Sequence, residues 1–151
     1  MSLYTIDVKK YKAYFFQTLI TNIVITTGTY ILLKNGIYIL SGFDPGKKLT
    51  SPILFAMIIL AVVHGQHQKK QVKKLEGISN FEDRVTAYEK IYKSRLLWFF
   101  FACFISCFLA ILTGRYLFFY YAIFDIVFSL LCYPNLLLFK RELKNEEIIF
   151  Y

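Results

Sequence analysis

The chain has 151 residues, 57% of them hydrophobic and 19% aromatic, with a mean hydropathy of +0.49 and a net charge of +8. A soluble domain is about 45–50% apolar. Here the apolar residues form runs separated by short basic stretches, which excludes an ordinary soluble domain and points to a membrane protein. The positive charge borders the apolar runs, where lipid phosphates account for it, so no nucleic-acid partner is expected.

The first apolar run covers about residues 13–33. Lys9, Lys10 and Lys12 precede it, as in a signal peptide. The run is longer than an h-region of about 7–15 residues and no A-x-A site follows, so it reads as an uncleaved span. Thr18, Asn22, Thr26 and Thr29 share one side of it. The next connection, NGIYILSGFDPGKK, holds a turn signal at Asp44-Pro45-Gly46. Ile37, Tyr38, Ile39, Leu40 and Phe43 are expected in the membrane interface. The second run, about residues 51–68, is short and ends in His64 and His67, one turn apart. Two imidazoles with no obvious Cys or carboxylate partner make a weak metal candidate, and a wet interfacial pair is the preferred reading.

Residues 69–95 form a basic segment. Lys69, Lys70, Lys73 and Lys74 are expected to contact anionic lipid headgroups, at about 1 kcal/mol per Lys. Ser79 and Glu82 have capping-box spacing. Phe81, Val85, Tyr88 and Tyr92 then make one apolar stripe, and Glu89 and Lys93 stand in the favourable i,i+4 order. With no Gly or Pro to break it, one helix is expected from Ser79 to Thr113, roughly 50 Å long at about 1.5 Å per residue. It joins the segment to a third run, about residues 96–113. After the short Thr113-Gly114-Arg115 connection, a fourth run covers about residues 116–139, kinked near its end by Pro134.

Fourteen Lys and Arg flank the N-terminus, the 69–95 segment and the C-terminal tail, against four in the other two connections. That bias places both termini in the cytoplasm. The expected fold is therefore all-α: a single integral membrane four-helix bundle over residues 1–151, made of two antiparallel hairpins, with the third span extended into the cytoplasm.

One carboxylate interrupts the fourth run. Asp125 lies ten residues past Arg115, about 15 Å along a helix and near the centre of a hydrocarbon core of roughly 30 Å. A central Asp costs about 2.5–3.5 kcal/mol on insertion scales, so it is expected to face the bundle interior. Ala122, Asp125, Ser129 and Cys132 recur at steps of three and four, and Ala102, Ser106, Ala110 and Gly114 at steps of four, with Cys103 and Cys107 alongside. Such small faces let helices approach closely. The three cysteines read as packing residues rather than a disulfide framework. Asp125 is expected beside Ser106 and within reach of Asn22 or Thr26. Its role is that of a protonated residue fixing helix register, that of a proton- or cation-coupled site or the anchor of a cationic substrate, or that of an intermolecular contact.

The stretches YEKIYKSR, LTGRYLFF, YPN and KREL, within about residues 80–145, resemble a group of small uncharacterised four-span bacterial membrane proteins. The resemblance implies a bacterial inner-membrane location and no particular chemistry. Small multidrug-type transporters also pair four spans with one buried acid. Theirs is a Glu in the first span, whereas this chain has an Asp in the fourth. No P-loop, GxGxxG, HExxH or nucleophile–base motif is present, so neither an enzyme nor a cofactor is expected. The sequence points to an interaction or structural subunit in a homo-oligomer or larger membrane complex. The alternative is a small transporter or channel using Asp125.

Overall fold

The computed structural model describes residues 4–40, 48–145 and 148–150. The Asp44-Pro45-Gly46 turn and Phe43 lie outside them. In chain order the elements are β1 (Tyr4–Ile6), α1 (Val8–Lys34), α2 (Thr50–Lys74), a 3-10 turn (Leu75–Gly77), α3 (Phe81–Thr113), α4 (Tyr116–Ser129), a second 3-10 turn (Leu130–Cys132), α5 (Leu136–Leu143) and β2 (Ile148–Phe150). Among the described residues, α1, α2 with its 3-10 turn, and α3 are long and apolar enough to cross a membrane. A fourth span is added if the bent pair of α4 and α5 counts as one.

Local chemistry sets the helix ends. Asp7 caps α1 by accepting from the Lys9 amide at 3.0 Å. The cap of α3 is Asn80, whose Oδ1 accepts from the Glu82 amide at 3.1 Å. The Ser79 box is therefore replaced by a cap one residue later, and Asn is as good a cap as Ser. Arg84 ties the entry loop down, donating to the Ile78 carbonyl from two nitrogens and to the Leu143 carbonyl at 3.2 Å. α3 then runs unbroken to Gly114, which closes it with φ 67°. A Cβ there would also meet the Tyr38 ring at 3.1 Å. The segment around Tyr38 folds onto this helix end: the Ile39 and Leu40 amides donate to the Ile111 and Leu112 carbonyls, satisfying acceptors that the helix leaves open.

The run at 116–139 is two helices, not one kinked helix. Tyr133, ahead of Pro134, is extended, as the proline ring requires. Asn135 then caps a new helix by accepting from the Leu138 amide at 2.7 Å, and α5 leaves at 77° to α4. α5 buries Leu138, Phe139 and Leu143.

α1, α3 and α4 pack on one another, and α2 flanks them. Only Thr50 and Gln68 of α2 are buried, whereas Phe55, Ile58, Ile59, Leu60, Val62 and Val63 are exposed. The helical core is thus three helices with a fourth at its side. α2 lacks the continuous small and hydroxyl face that brings the other three together. The expected all-α class also omits a small sheet. β1 and β2 pair in parallel, Tyr4 with Ile148, Thr5 with Ile149 and Ile6 with Phe150. Ile6 and Ile148 are buried in the main apolar cluster, which anchors strands too short to persist alone.

Candidate functional site

Two different interiors lie along α3. Near the paired chain ends, Tyr88 and Tyr92 are fully buried with Tyr11 and Phe139. The Tyr11 ring stands edge-on to Phe139 at 4.9 Å and to Tyr92 at 5.3 Å. Such contacts add to the burial energy of each ring. The Tyr92 hydroxyl donates to the Cys132 carbonyl at 3.0 Å, using an acceptor freed by the helix break. Arg95 donates to both carboxylate oxygens of Glu142 at 3.1 and 3.2 Å, with both side chains largely buried. Glu89 lies between Lys10 and Lys93 at 2.8 and 2.7 Å, and these bonds hold its carboxyl below the usual range. The Lys144 ammonium does the same for Glu76. Burial pushes the Tyr88 phenol up, helped by the nearby Glu142 carboxylate. Sequence reading missed the Arg95–Glu142 pair. Its only signal was an arginine just before one apolar run and a carboxylate just after the next.

Further along, the interior is small and polar. Asn22 is fully buried and donates its amide to the Phe99 carbonyl at 3.4 Å. Thr26 Oγ1 meets Cys103 Sγ at 3.4 Å and Cys107 Sγ at 3.7 Å. Ser106, also fully buried, donates to the Ala102 carbonyl at 2.7 Å, and its oxygen lies in hydrogen-bonding reach of the Asp125 carboxyl. Asp125 is 7% exposed, Ser129 is buried below it, and Ala110 and Ala122 are fully buried along the same seam. Ala102 and Gly114 are half-buried, as is Thr18, which donates to the Tyr14 carbonyl at 3.0 Å. Thr26 is thus the α1 hydroxyl at the Cys103–Cys107 level beside Asp125, and Asn22 is engaged a turn away with Phe99.

Four hydroxyls of this seam are committed. Thr18, Thr29, Ser106 and Ser129 all return their hydroxyl protons to carbonyls of their own helices. Two buried acceptors of this seam, Asp125 Oδ2 and Asn22 Oδ1, have no partner among the described residues. The cluster is short of donors, and a buried unpaired acceptor costs about 1–3 kcal/mol. A proton on Asp125 or a small cation would remove that deficit, and this is the chemistry the arrangement can support.

The other residues singled out lie elsewhere. His64 stacks on Trp98 at 4.2 Å and contacts the Gln68 amide at 3.1 Å, and His67 contacts the Gln71 amide at 3.1 Å. Each imidazole takes a glutamine, and no group of three or more His, Cys, Asp or Glu suited to a metal occurs among the described residues. Lys69, Lys70, Lys73 and Lys74 are exposed on the last turns of α2. No family model, no curated protein and no solved structure matches the chain.

Proposed function

We propose that the chain is a multi-pass protein of the bacterial inner membrane, with both termini in the cytoplasm, acting as an interaction subunit of a homo-oligomer or a larger membrane complex. What carries the reading is α2: a 25-residue helix with two buried residues and a broad exposed apolar surface. Such a surface is stable against lipid or against another span. α2 makes few contacts with its own bundle, so it is the helix most available to a neighbour. Native mass spectrometry of gently extracted protein tests this. Assemblies of more than one chain, or a stoichiometric second subunit, are expected, and Ala56→Trp on the exposed surface of α2 should dissociate them. Single chains in the wild type, with neither copies nor a subunit, would exclude the proposal.

A second reading is favoured by the donor shortage around Asp125: a small carrier that binds a proton or cation there. Asp125→Asn separates the two. An interaction subunit keeps its fold and assembly, because Asn still donates and accepts hydrogen bonds. A coupled carrier stays folded but loses transport in reconstituted vesicles, because Asn cannot take up a proton.

A further inference from the structure

Cys103 and Cys107 are four positions apart on α3, so they stand one above the other on the same helix face. Both are free thiols, buried at 0% and 2% exposure. Thr26 of α1 reaches both, its Oγ1 lying 3.4 Å from the Cys103 sulfur and 3.7 Å from the Cys107 sulfur. Each thiol is also in hydrogen-bonding reach of the other. Thr18 and Thr29, on the same helix, donate to their own backbone, whereas the Thr26 hydroxyl is turned to the sulfurs. From α4, Asp125 is close enough to both sulfurs for their charges to interact, and its buried Oδ2 has no hydrogen-bond partner among the described residues. Close packing needs only small side chains at this level, which Ala110 and Ala122 supply in the same seam. It does not call for two sulfurs side by side next to an unpartnered carboxyl oxygen.

Softness and ligand number select the occupant. Cysteine sulfur is a soft donor that favours Cu(I) over hard cations such as Mg²⁺ or Ca²⁺. Zinc also takes thiolates, but its structural sites use four ligands, and no group of three or more His, Cys, Asp or Glu suited to a metal occurs among the described residues. A closed-shell monovalent cation is satisfied by two sulfurs in line. Exchanging one thiol proton for one monovalent cation leaves the charge of the buried site unchanged. A divalent ion must expel two protons or leave a charge in the apolar interior, which is costly. The third cysteine is a contrast: Cys132 belongs to the aromatic cluster and lies beside the Arg95 guanidinium, which repels a cation.

We infer that Cys103 and Cys107 together bind one copper(I) ion, with the Thr26 hydroxyl donating to the bound sulfur and the unpartnered oxygen of Asp125 facing the cation. On binding, one S–H bond breaks and its electron pair forms an S–Cu bond. The second sulfur donates a lone pair, the proton leaves to the solvent, and the copper stays Cu(I). The inference rests on the second reading above, a cation held near Asp125, and names the class of that cation.

The full chain in detergent micelles is titrated without oxygen against the coloured bicinchoninate complex of copper(I). The wild type should withdraw one equivalent of copper per chain. X-ray absorption at the copper edge of the loaded protein should show two sulfur neighbours. Cys103→Ser and Cys107→Ser should each abolish uptake, and Cys132→Ser should keep it. Thr26→Val and Asp125→Asn should each weaken it about ten-fold, a response that thiols serving only to pack the seam would not give. No uptake by the wild type would overturn the site, as would nitrogen or oxygen neighbours in place of sulfur, whether or not the serine variants fold. Uptake that persists in Cys103→Ser/Cys107→Ser would overturn it too. Proton or sodium uptake into vesicles that depends on Asp125, in a protein that takes no copper, would remove the thiol site and leave the second reading standing.

Discussion

Around Tyr88 and Tyr92, α3 buries large rings and sends Lys90 and Lys93 outward. Around Ser106, two to three turns past Trp98, the same helix buries Cys103, Ser106, Cys107 and Ala110 and exposes Phe101, Phe104, Ile105 and Phe108. The first region is packed as a protein in water is, with apolar residues inside and charges outside. The second is reversed, with small and polar side chains at the helix contacts and bulky apolar ones outside, as suits helices surrounded by lipid. One unbroken helix therefore joins two interiors held by different forces: burial of aromatic area in one, close backbone approach and a few hydrogen bonds in the other. The contrast teaches that equivalent substitutions should have unequal effects at the two levels.

The largest difference is expected at the rings. Tyr88→Ala empties the centre of the aromatic cluster and should cost about 3–5 kcal/mol, read as a drop in the unfolding midpoint of the extracted protein and as early proteolysis of the α5 segment. Phe108→Ala, on the exposed face, should cost well under that. Equal losses would break the comparison. Next is the ion pair. Arg95→Ala leaves the Glu142 carboxylate without its main partner and should cost about 2–3 kcal/mol, less than a fully buried pair, while Arg95→Met/Glu142→Leu should recover most of it. Recovery measured in a double-mutant cycle would show that α5 is held by apolar packing and that the pair adds orientation.

At the polar seam the effects should be smaller and should depend on chemistry rather than volume. Asp125→Leu should cost about 1–3 kcal/mol, because Ser106 loses its neighbour and a small seam is crowded. Asp125→Asn should be milder in the same assay. A Leu variant as stable as the wild type would mean that Asp125 contributes nothing to the seam. The smallest effect is the acid response of the outer charges. The lowered carboxyl of Glu89 contributes stability above its ordinary value near 4.5, and that contribution disappears as pH falls through the depressed one. Melting temperature should therefore decline between about pH 5 and pH 3, and Glu89→Gln should flatten part of that decline. The pair is largely solvated, so the change is modest.

The helices were legible because hydropathy and breakers report them directly: an uninterrupted stretch before Gly114, a turn at Thr113-Gly114-Arg115. The inward face of Asp125 was legible from the three- and four-step recurrence of Ala122, Ser129 and Cys132. What was not legible depends on partners distant in the chain. Asn22 bonds to a backbone carbonyl at Phe99, and no sequence pattern marks which carbonyl in a helix will serve. The peripheral position of α2 reflects a comparison among helix faces, not any property of α2 alone. Pro134 signalled a kink, but only Asn135, with its own cap, turns the kink into a new helix. The pairing of β1 with β2 joins segments more than 140 positions apart and too short to carry a period.

That pairing has a topological consequence. Strands linked by hydrogen bonds must occupy the same compartment, so any bilayer the chain crosses between Ile6 and Ile148 is crossed an even number of times. Three crossings, the number of long straight helices, is an odd count and is forbidden. The short α4, about 25 Å with its 3-10 turn, must then complete a return passage or α2 must fail to make one. Parity alone predicts that reporters fused to the two ends of the chain will always agree on which side they see.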